Sequence, residues 1–262
     1  MDPKRLQALQ ESVPQPLKDR ERYVKAFIYG EFGVGKTILA ASCTQNKGLI
    51  IATDTGTDSL YNHPELLEKH DIVPYKGLQH LTAVAEAISE GVEGYEQYDN
   101  VIVDTISQVQ EEYLDWLLDN FKFSGNMRTL AEPRNARDRT LESQEITGLP
   151  DYHLARNKMR GPVKALIKAP VDVFFLAHLR EPSMMDIQKG KLVRRPTLTE
   201  TVFKLIAREA SLLGLMERSA KERTVQFLTD KKTIAKSRII ELDNKTINAD
   251  TLPQIIQEWK LK

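Results

Sequence analysis

The sequence predicts an α/β fold with a mainly parallel central sheet, helices on both of its faces and a β-rich C-terminal segment. Three observations predict it. Continuous apolar runs recur at 24–29, 48–53, 99–104 and 171–177. Stretches of helical character, 36–46, 80–90, 106–121 and 152–168, lie between them. A glycine-rich turn, Gly30-Glu31-Phe32-Gly33-Val34-Gly35-Lys36-Thr37, joins the first run to the first helix. Strands covered on both faces read as unbroken apolar runs, and parallel strands need a crossover, usually a helix, to return to the same edge.

The elements follow in order. Residues 1–21 are polar with no apolar period and read as an N-terminal arm ahead of a core spanning 22–262. Val24 to Tyr29 (VKAFIY) is apolar and β-prone, and Ile38 to Cys43 (ILAASC) reads as helix. GLIIAT at 48–53 is the second strand, and HLTAVAEAISE at 80–90 the next helix. DNVIVD at 99–104 precedes a helix in which Leu114, Leu117, Leu118 and Phe121 fall at i, i+3, i+4 and i+7, a buried stripe. VDVFFLA at 171–177 is the fourth strand. Two polar segments with Pro and Gly, 122–150 and 180–197, read as loop insertions at the active edge of the sheet. The tail reads as strands at 224–229 and 238–242 and a helix at 251–260.

Composition narrows the function classes. At 262 residues and 41% hydrophobic content the chain suits one large domain with a sizeable core. No run approaches the ~18 apolar residues of a membrane helix, and Met1-Asp2-Pro3-Lys4 does not open a signal peptide, so no membrane partner is expected. Cys43 is the only cysteine, which excludes an intrachain disulfide and a cysteine metal cluster and points to a reducing, intracellular setting. The net charge is zero, yet 122–168 holds ten Lys/Arg against five Asp/Glu and 178–195 five against two. A neutral total therefore hides two basic stretches.

The turn at 30–37 matches G-x-x-x-x-G-K-[ST], a phosphate-binding loop. Its glycines let several N–H groups point at one phosphate. Gly30 through Ile38 would cradle the nucleotide, Lys36 would reach its terminal phosphates, and Thr37 would ligate Mg²⁺. Asp104 ends an apolar strand, where open parallel sheets bind ligands, and is the second metal residue; it is also suited to cap the helix that follows. Asp54 ends the second strand and is placed to orient the attacking water, with Asp58 the other candidate and a plain turn role the alternative. His178 follows the fourth strand and would sense a γ-phosphate. Lys236 and Arg238, two apart on an extended segment, point the same way. Aimed at a neighbouring subunit's phosphates they would act as a finger in trans; otherwise they are a solvated edge pair.

The ordered set of GEFGVGKT, an acid after the second strand, VIVD, FFLAH and K-S-R resembles the RecA-type P-loop ATPase core. It is most similar to the phage RecA-core proteins of single-strand annealing and recombination, a phage nucleotide-binding AAA-type family. The likeness covers about 22–242. It implies a RecA-like P-loop NTPase fold, ATP and Mg²⁺ as cofactors, and catalytic roles for Lys36, Asp54, Asp104, His178, Lys236 and Arg238. It also implies self-association into a ring or filament with ATP between subunits, and a bacterial host's cytoplasm as the setting for a phage-encoded chain. One departure stands out: RecA-type proteins place Glu where this chain has Thr55, so either Asp54 substitutes or hydrolysis is slow.

The same resemblance places DNA-contacting loops where the two basic stretches fall. Arg156, Lys158 and Arg160 lie in the first, and Lys189, Lys191, Arg194 and Arg195 in the second, with Met184 and Met185 as apolar wedges. Single-stranded DNA is the expected partner, with a single-strand-binding protein as a further one. A solvated charged face is the alternative for both stretches, and few aromatics lie in either. The leading expectation is an ATP-hydrolysing, DNA-stimulated recombination protein. An ATP-regulated assembly or motor subunit without DNA contact, and a nucleotide-binding scaffold with negligible turnover, stand beside it. A small-molecule phosphotransferase fits less well, because no second substrate pocket shows in the pattern.

Overall fold

Alternate residues of the apolar strands point to opposite faces of one sheet. Phe27, Tyr29, Val101, Val103, Val173 and Phe175 pack on one side, and Ala26, Ile28, Ile102, Phe174 and Leu176 on the other. The computed structural model describes Pro16 and residues 21–124, 127–133, 149–180, 194–220, 222–230 and 233–262. The 1–21 arm lies almost wholly outside them, as do parts of both insertions.

The strands are β1 (Lys25–Gly30), β2 (Gly48–Ala52), β3 (His70–Pro74), β4 (Asn100–Asp104), β5 (Phe121–Ser124), β6 (Met127–Pro133), β7 (Asp172–Arg180), β8 (Arg195–Pro196), β9 (Leu212–Arg218), β10 (Arg223–Gln226), β11 (Lys236–Ser237) and β12 (Thr246–Asn248). The helices are α1 (Lys36–Ser42), α2 (Pro64–Leu67), α3 (Leu78–Glu90), α4 (Ile106–Asn120), α5 (Leu149–Lys168), α6 (Glu200–Glu209) and α7 (Leu252–Leu261). The main sheet runs β12-β10-β9-β1-β7-β4-β2-β3, with β11 on β9 and β8 on β7. The pairings from β9 through β3 are parallel, and β10, β11, β12 and β8 add antiparallel edges.

Helices α3, α4, α5 and α6 cover one face, while α1 and α7 cover the other. Buried polar ties hold the strand register at the amino edge. Lys25 Nζ donates to the carbonyls of Leu166, Ala169 and Val171 at 3.2, 2.8 and 2.5 Å, closing the end of α5 against β1. Asp172 accepts from Val24 N at 2.8 Å and from Lys260 Nζ at 2.6 Å, joining β7 to α7. Among the described residues no helix is long and apolar enough to cross a membrane.

The structure corrects several expectations. Segment 122–150 is not simply a loop, because β5 and β6 pair antiparallel within it and α5 begins at Leu149. Phe121 opens β5 rather than ending the helix. Residues 238–242 are not a strand. Beyond Ser237 the chain turns, with Leu242 and Asp243 donating back to the Ile239 carbonyl at 3.0 and 3.1 Å. Elements that the sequence pattern did not predict include β3, α2, α6, β9 and β12. β3 is an edge strand with a mixed burial pattern. α6 has Thr199 as its N-cap, accepting from Val202 N.

Candidate functional site

β1 ends at Gly30, and the chain turns through 31–35 into α1. Gly35 has φ 101, a left-handed conformation that side-chain-bearing residues rarely adopt. Gly30 is needed for a different reason, since a Cβ there would meet the Met216 carbonyl oxygen at 2.3 Å. Above Gly33 a Cβ would meet no atom within 4 Å, so the apex of the turn is open to a ligand.

Lys36 is buried, and its Nζ donates to the carbonyls of Gly30 at 3.1 Å and Glu31 at 2.7 Å. Burial lowers its pKa to about 8, against the pull of Asp104 and Asp54. Thr37 Oγ1 donates to Asp104 Oδ2 at 2.6 Å. Burial pushes Asp104 up to about 6; the Thr37 hydrogen bond opposes this, the Asp54 charge adds to it and Lys36 also opposes it. Thr53 clamps the end of β4. Its N–H and hydroxyl donate to the Asp104 carbonyl at 2.8 and 3.0 Å, and its Oγ1 accepts from Thr105 N at 2.8 Å.

Asp54 caps a 3-10 turn, Thr55–Asn62, with Oδ1 accepting from Gly56 N at 2.7 Å. A Cβ on Gly56 would stand 2.8 Å from Asp54 Oδ1 and 3.9 Å from Asp104 Oδ2, so the two carboxylates converge there. Of the two candidate activators, Asp54 is the one whose charge is felt at Lys36, Asp104 and His178.

His178 pairs in register with Gly30 across β7 and β1. Its ring stacks on Phe32 of the turn, with centroids 4.0 Å apart and 24° between planes. Its backbone N–H donates to Ser107 Oγ at 3.2 Å. Its Nδ1 is buried with no hydrogen-bond partner among the described residues. Burial, then Lys36, lowers its pKa, so the imidazole is neutral at pH 7.

These features fit a nucleoside triphosphate with magnesium. The buried Lys36 ammonium is hydrogen-bonded to neutral carbonyls, and a phosphate would give it a hydrogen-bonded anionic partner. The Thr37 hydroxyl and Asp104 carboxylate are hard oxygen donors, which magnesium takes together with substrate phosphates. Among the described residues no group of three or more His, Cys, Asp or Glu offers a competing metal site. The family profile described as AAA domain matches residues 22–239. The chain belongs to the AAA domain family. It is therefore a nucleotide-binding domain of the ATPase class, and its mostly parallel sheet is that of a P-loop NTPase. Comparison with curated proteins finds no match.

In this AAA domain Gly30 through Ile38, Asp54, Asp104 and His178 gather at the carboxyl edge of the sheet. Lys236 and Arg238 do not join them. β11 lies against the start of β9, level with Ala26 and Phe27 on β1, roughly 10–13 Å along the strands from Gly30. Both cations reach the Arg208 carbonyl, at 3.4 and 3.1 Å.

Arg223 was missed in the sequence. It opens β10, opposite Arg218 of β9, and its guanidinium lies 3.2 Å from where a Cβ on Gly35 would stand. A lone Arg in a charged turn carries no signal, and only the antiparallel return of β10 brings it to the phosphate loop. With Ile38, Ser42, Met216, Asp250 and Pro253 it lines a pocket of 120 Å³ beside Gly35.

Of the residues expected at a DNA surface, Arg156, Lys158 and Arg160 are exposed on α5, and Arg195 is exposed in β8. Arg194 is tied into the fold instead. Its guanidinium donates to Glu217 at 2.5 Å, Thr233 at 2.7 Å and Gln226 at 3.3 Å. Lys189, Lys191, Met184 and Met185 lie outside the described residues.

Proposed function

We propose that this AAA domain is an ATP-hydrolysing, single-strand DNA-binding recombination protein of the phage RecA-core type, promoting annealing or strand pairing as a ring or filament. The observation that carries the reading is the Phe32–His178 stack. It ties the apex of the phosphate loop to the end of β7, the strand that leads directly into the basic segment 180–197. A change at the loop thus has a short mechanical route to a DNA-contacting segment. Bound at the loop, ATP supplies a γ-phosphoryl group open to attack, and magnesium offsets the charge on its oxygens.

The chain's own residues divide the remaining work. Lys36 draws the phosphates into the turn, Thr37 and Asp104 present oxygens to the metal, and Asp54 orients a water. His178, neutral, offers a hydrogen bond to the terminal phosphate. The pocket beside Gly35 takes the nucleoside end. Lys236 and Arg238, at the amino edge, support a head-to-tail assembly in which one subunit's cations serve its neighbour's nucleotide. A slow or silent hydrolase is the second reading. It is favoured by Asp54 Oδ1, already engaged by Gly56 N at 2.7 Å, and by Thr55 where the resemblance expects Glu.

The test is ATP turnover with and without single-stranded DNA, alongside the mass of the assembly with and without ATP. The expected result is stimulation by DNA and an assembly larger than one chain. Turnover unmoved by DNA in a protein that binds none removes the recombination reading and leaves an ATPase.

A further inference from the structure

A second concavity lies at the far end of the same sheet edge. Beyond β3 a cleft of 760 Å³ opens between the start of α3, the middle of α4 and the middle of α5. Counted through β7, β4 and β2, it is four strand spacings from the phosphate loop, roughly 19 Å. Its walls combine three aromatic side chains, Tyr75, Tyr113 and Trp116, with two lysines, Lys76 and Lys158. Tyr113 and Trp116 stack at 5.7 Å and 21°. Tyr113 is buried, but Trp116 is 48% exposed, so an anchored aromatic pair presents indole surface toward solvent. Burial, then the Glu112 carboxylate, raises the Tyr75 pKa, which keeps its phenol a hydrogen-bond donor.

We infer that this cleft seats one nucleotide of a single DNA strand, its base extending the Tyr113–Trp116 stack and its phosphate lying between Lys76 and Lys158. The inference rests on the DNA-binding reading above and gives it a place. The basic stretch of α5 has almost no aromatics of its own. Tertiary packing supplies them, setting α4 and the end of β3 beside Lys158. Stacking on an aromatic face tolerates any base, and a cation at the edge holds the backbone; together they make a sequence-tolerant single-strand site. Arg156, Arg160 and Lys164, exposed and four residues apart on α5, form a separate positive stripe on another face of the same helix. Among the described residues of the lining, Glu112 is acidic and Lys76 and Lys158 are basic.

The experiment titrates the full-length protein with labelled oligothymidylate and with an abasic oligomer of equal length, following anisotropy and tryptophan fluorescence. The wild type is expected to bind oligothymidylate more tightly and to show indole quenching with that oligomer alone. Trp116→Ala should weaken binding about 5- to 150-fold, the range for one lost base stack. Trp116→Phe should restore most of it, and Lys158→Gln should lower the slope of log affinity against log salt by about one. Trp116 and Lys158 are both surface residues, and the thermal midpoint of each variant verifies folding. If the wild type binds DNA and folded Trp116→Ala binds it equally well, the cleft is not the site, and the DNA-binding reading survives without it. If the wild type binds neither oligomer, both fall.

Discussion

Replacing Asp104 with Asn should stabilise the nucleotide-free protein while removing its activity. Asp104 is 3% exposed, and its pKa is raised from 3.8 to about 6, chiefly because burial penalises the ionised form. At about 1.4 kcal/mol per pKa unit, ionised Asp104 costs the folded state about 3 kcal/mol at pH 7. Asn keeps the shape and can still accept from Thr37 Oγ1, and the net shift already contains the difference between the charged and the neutral bond. The net expectation is up to about 3 kcal/mol of added stability, or a Tm raised by up to about 6 °C in a chain of this size. The sign with pH follows from the raised value. The stability contributed by protonated Asp104 is fully present below pH 3.8 and is lost as pH rises through about 6. The advantage of Asp104→Asn should therefore vanish near pH 4 and be complete by pH 7 to 8. Thermal unfolding in EDTA, without nucleotide, at a series of pH values measures it, and magnesium-dependent ATP turnover should be lost in the same variant. A variant less stable than wild type at pH 8, or a difference that does not move with pH, would refute the reasoning.

Other outcomes follow from the same geometry. Lys36→Ala should abolish nucleotide binding or turnover, read by calorimetry and phosphate release. In the wild type, affinity for magnesium-ATP should fall above about pH 8 as Lys36 loses its proton and below about pH 6 as Asp104 gains one, with a plateau between. Arg238→Ala should keep nucleotide binding and lose turnover; full ATPase activity in that variant would discard the finger in trans. Neutralising Lys189, Lys191 and Arg195 together should weaken DNA binding and flatten its salt dependence. Arg194→Ala alone should instead cost about 1–3 kcal/mol of stability, seen as a lower Tm, because Glu217 and Thr233 lose a charge-assisted partner.

Much of the catalytic edge was legible in the sequence because its residues occupy positions with a local signature. The glycine turn announces itself by spacing, and Asp54, Asp104 and His178 each follow an apolar run whose end must lie at one edge of a parallel sheet. β3, α6 and β9 were less legible. β3 is a half-exposed edge strand, so its residues do not form the unbroken apolar run that marks β1, β2, β4 and β7. α6 is short, and its amphipathic pattern follows closely on the polar segment 180–197.

What the sequence by itself determined was the α/β class, the phosphate loop, and the residue types gathered at the carboxyl edge. Those depend on patterns within a few neighbours along the chain. Tertiary structure alone decided that Phe32 lies on His178, that Arg223 reaches Gly35, that Arg194 is committed to Glu217, and that Trp116 stands across a cleft from Lys158. Each of these pairs is far apart in the chain. Strand order, register and helix packing bring its members together, and those are settled by the burial of the whole core rather than by any local run of residues.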